Sequence, residues 1–302
     1  MDEFAFIDWI RRQTALEGDR IAVGPGDDCA VMRIGGELLL VTTDQCADGV
    51  HFVLDACGGE AAGYKVMARS LSDIAAMAGE PLAAVATVAA TRGMAEAQLQ
   101  AIYRGLRRAG DALGCPVIGG DVAAWDHPLL LTVTMLGKPA GEAPLLRSGA
   151  KVGDAVCVTG ELGGSLESGR HLNFTPRIAE ARELITQADV HAMIDISDGL
   201  AADLGHLCRA GGVGAELDAG AIPLSAAARQ GHDPLSAALG DGEDYELLFT
   251  LTDDDARNLV TNQPLPVPVS RIGRITAADS MTLIGPDGKV VPIDQCGWRH
   301  RT

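Results

Sequence analysis

The chain has 302 residues and a net charge of −17, with 47% apolar residues but only 4% aromatics. That length allows two domains and a sizeable core, built mainly from Ala, Val, Leu and Ile. The charge disfavours a nucleic-acid partner, which needs a basic face against phosphate. An acidic protein still takes an anionic substrate where divalent cations invert the local field.

In chain order, the start MDEFAFIDWIRR is acidic and lacks the pattern of a signal peptide. A short strand over Ile21–Val23 leads into the glycine turn GPGDD, residues 24–28, and a buried strand follows over Leu38–Asp44. Residues Glu60–Ala78 are expected as a helix and Ala83–Ala90 as a strand. Over Glu96–Leu113, Leu99, Ile102, Leu106, Ala109 and Leu113 form one apolar helical stripe. Pro116–Ile118 is a short apolar run ending at Gly119-Gly120-Asp121, and Leu129–Leu136 has strand composition.

The text around 139–153 is rich in Pro and Gly. It divides an N-terminal domain, 1–138, from a C-terminal domain, 154–302. The second half opens on a strand, Ala155–Thr159, and the turn GELGG. Helices are expected over Ala179–Asp189 and Gly199–Ala210, with strands over Ala215–Leu217, Glu246–Leu251 and in short pieces through Val267–Ile293. Alternation of strands and helices in both halves reads as α/β or α+β.

Several acids sit in turns or at the ends of strand-like runs, where α/β proteins build sites: Asp27, Asp28, Asp44, Asp121, Asp195 and Asp198. Asp73 lies on a mostly apolar helix face, where a carboxylate needs a cation, either Lys65 or Arg69 or a metal. Carboxylates about 4 Å apart repel by roughly 4 kcal/mol at an effective dielectric near 20. If they converge, oxygen ligands favour Mg²⁺, Mn²⁺ or Ca²⁺, and Mg²⁺ completes its shell with water and substrate phosphate. A conventional P-loop is excluded, since none of Lys65, Lys138, Lys151 and Lys289 precedes Ser or Thr. Ser197 or Asp198 is placed to cap the helix that follows, whose free amides suit an anion. The 7 cysteines show no C-x-x-C spacing. No apolar run is long enough to span a membrane, so the chain reads as cytoplasmic.

Together the motifs GPGDD, TTDQCADGVHF, GYKVMARSLSDIAAMAGEP, GGD, LLRSGAKVGD, DISDGLAADLGH and GEDYELLFT resemble thiamine-monophosphate kinases, within the aminoimidazole ribonucleotide synthetase-like superfamily. The resemblance implies two α/β domains, with the N-terminal mixed-sheet domain forming a homodimer contact. It also implies Mg²⁺-dependent transfer of the ATP γ-phosphoryl group to thiamine monophosphate, the last step of thiamine diphosphate biosynthesis. It makes Asp28, Thr42, Thr43, Asp44, Asp73, Asp121, Asp195 and Asp198 the metal shell. Tyr103, Gly120, Asp121, Arg147 and Ser197 become ATP contacts, and His51, Glu243 and Trp298 contacts for thiamine phosphate. No residue is implied as a dedicated base. Pro25, Val122 and Asp241 depart from the usual family text. The nearest rivals are another ATP-dependent reaction of the superfamily and a Ca²⁺-binding protein. The latter is disfavoured by the lack of a D-x-D-x-D-G loop.

Overall fold

The structure, a computed structural model, describes residues 3–13 and 19–293. Trp298, expected as a substrate contact, lies outside the described residues. Strands β1 (Ile21–Val23), β2 (Ala30–Ile34), β3 (Glu37–Ala47), β4 (Gly79–Thr91), β5 (Val117–Trp125) and β6 (Leu130–Pro139) form one sheet in the order β1-β2-β3-β6-β4-β5. It is mixed, with β4 and β5 parallel and the other pairs antiparallel. Helices α1 (Glu3–Gln13), α2 (Leu54–Ala76) and α3 (Glu96–Asp111) accompany it.

The second sheet holds β7 (Ala155–Thr159), β8 (Val190–Asp195), β9 (Gly214–Asp218), β10 (Leu247–Leu251), β11 (Val269–Thr276), β12 (Met281–Ile284) and β13 (Val290–Pro292). Its order is β13-β12-β9-β11-β7-β10-β8. With it go α4 (Ser165–Ser168), α5 (Ile178–Gln187), α6 (Leu200–Gly211), α7 (Ala226–Gln230), α8 (Pro234–Gly240) and α9 (Asp253–Asn262). The architecture is mixed α/β with two sheets.

Strands β7, β8 and β10 of this second sheet are mostly apolar along their length because both faces are covered. Along β7, Ala155 and Cys157 face a core that continues through α2 into the first sheet. Val156 and Val158 face a separate core with Leu200, Leu204 and Leu207 of α6. The first core therefore draws on both halves of the chain.

Three expectations need correcting. Helix α2 starts at Leu54 rather than Glu60, and Gly58, at φ 76°, interrupts its first turns. The GGD text does not end a strand: Gly119, Gly120 and Asp121 lie inside β5, an edge strand exposed through most of its length. Asp44 likewise sits inside β3 rather than at its end.

Helices α2 and α3 approach so closely that glycine is required at the contact. A Cβ on Gly63 would lie 2.0 Å from the Ile102 carbonyl oxygen, and one on Gly105 would lie 2.0 Å from that of Glu60. Close packing here fixes the face of α2 that carries Lys65, Arg69 and Asp73. Replacing Gly105 with Ala is expected to destabilise the fold by about 1–3 kcal/mol through overpacking, despite better helix propensity. Urea unfolding measures this, and an unchanged midpoint would show that the helices have room to part.

Candidate active site

The loop between β1 and β2 brings Asp28 to the C-terminal half of α2 and to the end of β8. Carboxylate oxygens of Asp28, Asp73 and Asp195 lie within 4.8 Å of one another. Each is oriented by a neighbour. Thr42 donates its hydroxyl to Asp73 Oδ2, and Ser72 Oγ donates to Asp195 Oδ2 at 2.6 Å. Arg147 clamps Asp28, with Nη2 to Oδ1 at 2.6 Å and Nε to Oδ2 at 3.3 Å. The Arg147 backbone N–H donates to Asp27 Oδ2 at 3.2 Å, so the 139–153 segment is tied into the site. Asp44 flanks the cluster, accepting from Ser70 Oγ at 3.1 Å and paired with Arg69 Nε at 3.3 Å.

The cluster leaves like charges short of solvent. Burial first, then the charges of Asp44, Asp195 and Asp28, push the Asp73 carboxyl well above its ordinary range. Burial and Asp28 push Asp195 up to about 7, and burial and Asp28 push Asp27 up to about 6. Lys65 and Arg69, the alternative partners for Asp73, are engaged elsewhere. Lys65 is fully buried and donates to the His51 carbonyl at 2.6 Å and to Glu243 Oε2. Burial lowers the Lys65 pKa and Glu243 opposes that shift. Arg69 Nη1 stands 3.9 Å from Glu243 Oε1.

Beside these groups, His51, Arg69, Ser197, Asp198, Asp241, Glu243 and Tyr245 line a pocket of about 70 Å³, enough for the end of a small ring. His51 Nδ1 accepts the Ala47 N–H at 3.0 Å, which leaves the ring proton on Nε2. The loop carrying Glu243 is stitched to the DISDG loop, with Glu243 N–H to Ser197 O at 2.7 Å and Tyr245 N–H to Ile196 O at 2.8 Å. Glu243 and Tyr245 both take left-handed backbone conformations, at φ 56° and 51°. Such strain costs about 1–3 kcal/mol per residue and persists only where surroundings enforce it. Here they do. Asp244 is held by Arg170 and the Gly163 N–H, and Glu246 by Arg177 and Thr159.

The expected cap of α6 is different. No Ser197 or Asp198 side chain caps it; the N-cap residue is Gly199, at φ 114°. Asp203, one turn inside, accepts instead from the Asp198 and Gly199 N–H groups at 3.0 and 3.1 Å. Burial and Asp198 hold the Asp203 carboxyl well above its usual range.

Not every predicted residue converges. Tyr103, Gly120 and Asp121 share a cavity of about 550 Å³ between α3 and the β4–β5 edge. Asp121 pairs with Thr87, Thr87 with Thr132 and Thr132 with Gln45. Three strand spacings of about 4.8 Å therefore separate it from β3. Within one chain Asp121 is apart from the acid cluster. Thr43 is out of phase with Thr42 and Asp44; its exposed hydroxyl meets Thr134 Oγ1 at 3.1 Å on the opposite sheet face. Sequence reasoning gave no role to Ser70, Ser72, Asp203 or Tyr245. The spacing of Lys65, Arg69 and Asp73 at i, i+4 and i+8 already put those three on one helix face.

The raised carboxyls set a pH dependence. An unfolded Asp titrates near 3.9. The folded forms of Asp27 and Asp195 hold their protons up to about 6 and 7, as does Asp244, also raised to about 7 mainly by burial. Between those limits the folded state binds more protons than the unfolded, so stability from these groups is full below about pH 4 and lost as pH rises to about 7. In chelator, the thermal midpoint is expected to fall across that window, and added Mg²⁺ to restore it at neutral pH but not at acid pH. A midpoint unaffected by Mg²⁺ at neutral pH would count against a cation in the cluster.

Family models place the chain in two parts. Residues 26–138 match the N-terminal domain of AIR synthase related protein, and residues 151–285 match its C-terminal domain. The thiamine-monophosphate kinase of Rhodopirellula baltica is 38% identical over 286 residues, covering 90% of this chain and 89% of the relative. That of Escherichia coli K12 is 36% identical over 307 residues, covering 93% and 92%. Among solved structures, AaThiL complexed with AMPPCP and TMP superposes with a TM-score of 0.85 at 31% identity, covering 99% of this chain and 97% of that one. The chain belongs to the thiamine-monophosphate kinase family, within the AIR synthase related proteins.

Proposed function

We infer that the chain transfers the γ-phosphoryl group of ATP to thiamine monophosphate, giving thiamine diphosphate, with Mg²⁺ held by the acid cluster. The convergence of Asp28, Asp73 and Asp195 beside the pocket of His51 and Glu243 carries this reading. The solved family member holding AMPPCP and TMP supports it. The cluster fits the ion: its ligands are carboxylate oxygens, and the upward shifts of Asp73 and Asp195 mark a site short of positive charge. Bound there, Mg²⁺ supplies neutralisation for the phosphates being joined.

The chain's own residues do the positioning. Asp28, Asp73 and Asp195 hold the ion, with Asp44 and Thr42 beside them and Asp198 on the acceptor side. His51 and Glu243 hold the acceptor. Its attacking group is a phosphate oxygen, ionised at neutral pH, so in-line placement matters more than a base. Tyr103, Gly120 and Asp121 bind the nucleotide, and Arg147 and Ser197 approach its phosphates.

We place the enzyme in the cytoplasm, in keeping with its free cysteines. Among the described residues no helix is long and apolar enough to cross a membrane. The working form in this reading is a homodimer joined through the N-terminal halves. Edge strand β5 exposes Ile118 and Val122 at 64% and 66%, and the sheet face away from α2 exposes Thr43, Val85 and Thr87. The second copy then carries its Tyr103, Gly120 and Asp121 to the acids of the first.

With ATP, Mg²⁺ and thiamine monophosphate, chromatography is expected to show thiamine diphosphate, and none from thiamine in its place. Asp73→Asn should reduce turnover by roughly 100-fold or more. ATP consumption without that product would reassign the acceptor. Exchanging subunits between inactive Asp44→Asn and Asp121→Asn chains should recover about a quarter of wild-type activity, because half the dimers are mixed and each has one intact site. No recovery would mean that one chain builds the whole site.

A further inference from the structure

The Tyr245 hydroxyl is the odd group in this pocket. The residue is 2% exposed, yet its oxygen has no hydrogen-bond partner. Buried hydroxyls are rarely left so, and an orphan at a cleft wall calls for an explanation. Nor is the ring loosely placed. Phe174 stacks on it with centroids 3.8 Å apart and an interplanar angle of 12°. Phe174 is in turn held by the Tyr64 hydroxyl of α2, which donates to its carbonyl at 2.7 Å. The left-handed backbone at Glu243 and Tyr245 turns both side chains to the same pocket, while Asp244 and Glu246 between and after them go to arginines.

We propose that Tyr245 is a substrate-selecting residue, whose phenol donates a hydrogen bond to an acceptor atom on the ring of the phosphorylated substrate, beside the amino group received by Glu243. The neighbouring groups leave it that role. The Arg69 guanidinium is a donor only and cannot take the phenol's proton. The Glu243 carboxylate, held by Lys65 and facing Arg69, takes no bond from the phenol and keeps lone pairs for a ligand. Burial keeps the phenol protonated at neutral pH and so able to donate. A carboxylate acceptor next to a hydroxyl donor complements a ring that presents an amino group next to a ring nitrogen. Only that edge need enter the pocket of about 70 Å³, with the phosphate extending toward the acids. Sites built to bond a polar atom reject analogues lacking it, because the buried partner is then unpaired.

The proposal rests on thiamine monophosphate as the acceptor, and Tyr245→Phe tests it. In the free protein the change removes an unsatisfied hydroxyl, so the thermal midpoint should hold or rise. The KM for thiamine monophosphate should rise about 3- to 10-fold, the loss of one neutral hydrogen bond. The kcat should stay within about twofold and the KM for ATP unchanged, as for lost uniform binding. A substrate analogue with CH in place of the ring nitrogen beside the amino group should bind wild type about 3- to 10-fold more weakly than thiamine monophosphate. The variant should bind the two equally. A falling midpoint, an unchanged KM or continued discrimination by the variant would overturn the proposal. If wild type forms no thiamine diphosphate, the acceptor assignment fails instead, and that is read from the product assay alone.

Discussion

Asp28, Asp73 and Asp195 bring like charges within 4.8 Å of one another, and the surrounding structure is arranged to hold that unfavourable convergence. At such separations each ionised pair costs several kcal/mol, and partial burial removes the water that would screen it. Arg147 offsets part of the repulsion at Asp28, and hydroxyls of Thr42 and Ser72 stabilise single carboxylate oxygens. Among the described residues no side-chain cation pairs with Asp73, since Lys65 and Arg69 of the same helix pair with Glu243 and Asp44. The protein thus neutralises Asp44 and Glu243 with its own side chains and leaves the adjacent Asp73 carboxyl raised by burial and by its acidic neighbours.

This division depends on α2. Its approach to α3 through Gly63 and Gly105 fixes the helix rotation, and that rotation sends Lys65 and Arg69 toward the pocket of His51 and Glu243 and Ser72 and Asp73 toward the acids. The helix is buried between elements of both halves, so its polar residues meet partners from distant parts of the chain. The GEDYE loop works similarly on the other side. Alternate residues anchor it to Arg170 and Arg177, leaving Glu243 and Tyr245 held in a backbone shape they would not otherwise adopt.

Much of this was readable from local pattern. The α3 stripe and the strands β7 and β10 follow from spacing and composition. The first turns of α2 are not legible in the apolar pattern, since Gly58, at φ 76°, interrupts the helical backbone between Leu54 and the expected start at Glu60. The run of β5 was missed because an exposed edge strand carries no apolar alternation, and glycines at 119 and 120 read as a turn. A Cβ at Gly120 would meet the Ala86 carbonyl at 1.8 Å, so strand approach alone demands glycine there. Pairings such as Ser72 with Asp195 or Lys65 with Glu243 join residues far apart in sequence, and no short-range pattern announces them.

The Lys65–Glu243 pair has a consequence for how the chain is made. Its members are 178 residues apart, so during synthesis Lys65 leaves the ribosome long before its carboxylate exists. Stranding a buried cation without its partner costs about 3–5 kcal/mol. The core around α2 is likewise finished only by strands from the second half, Met193, Leu247 and Phe249 among them. The first half alone therefore leaves the core around α2 unfinished, and its closure depends on strands made later. Two sheets matched by separate family models thus share one core around α2, completed by residues of the last third.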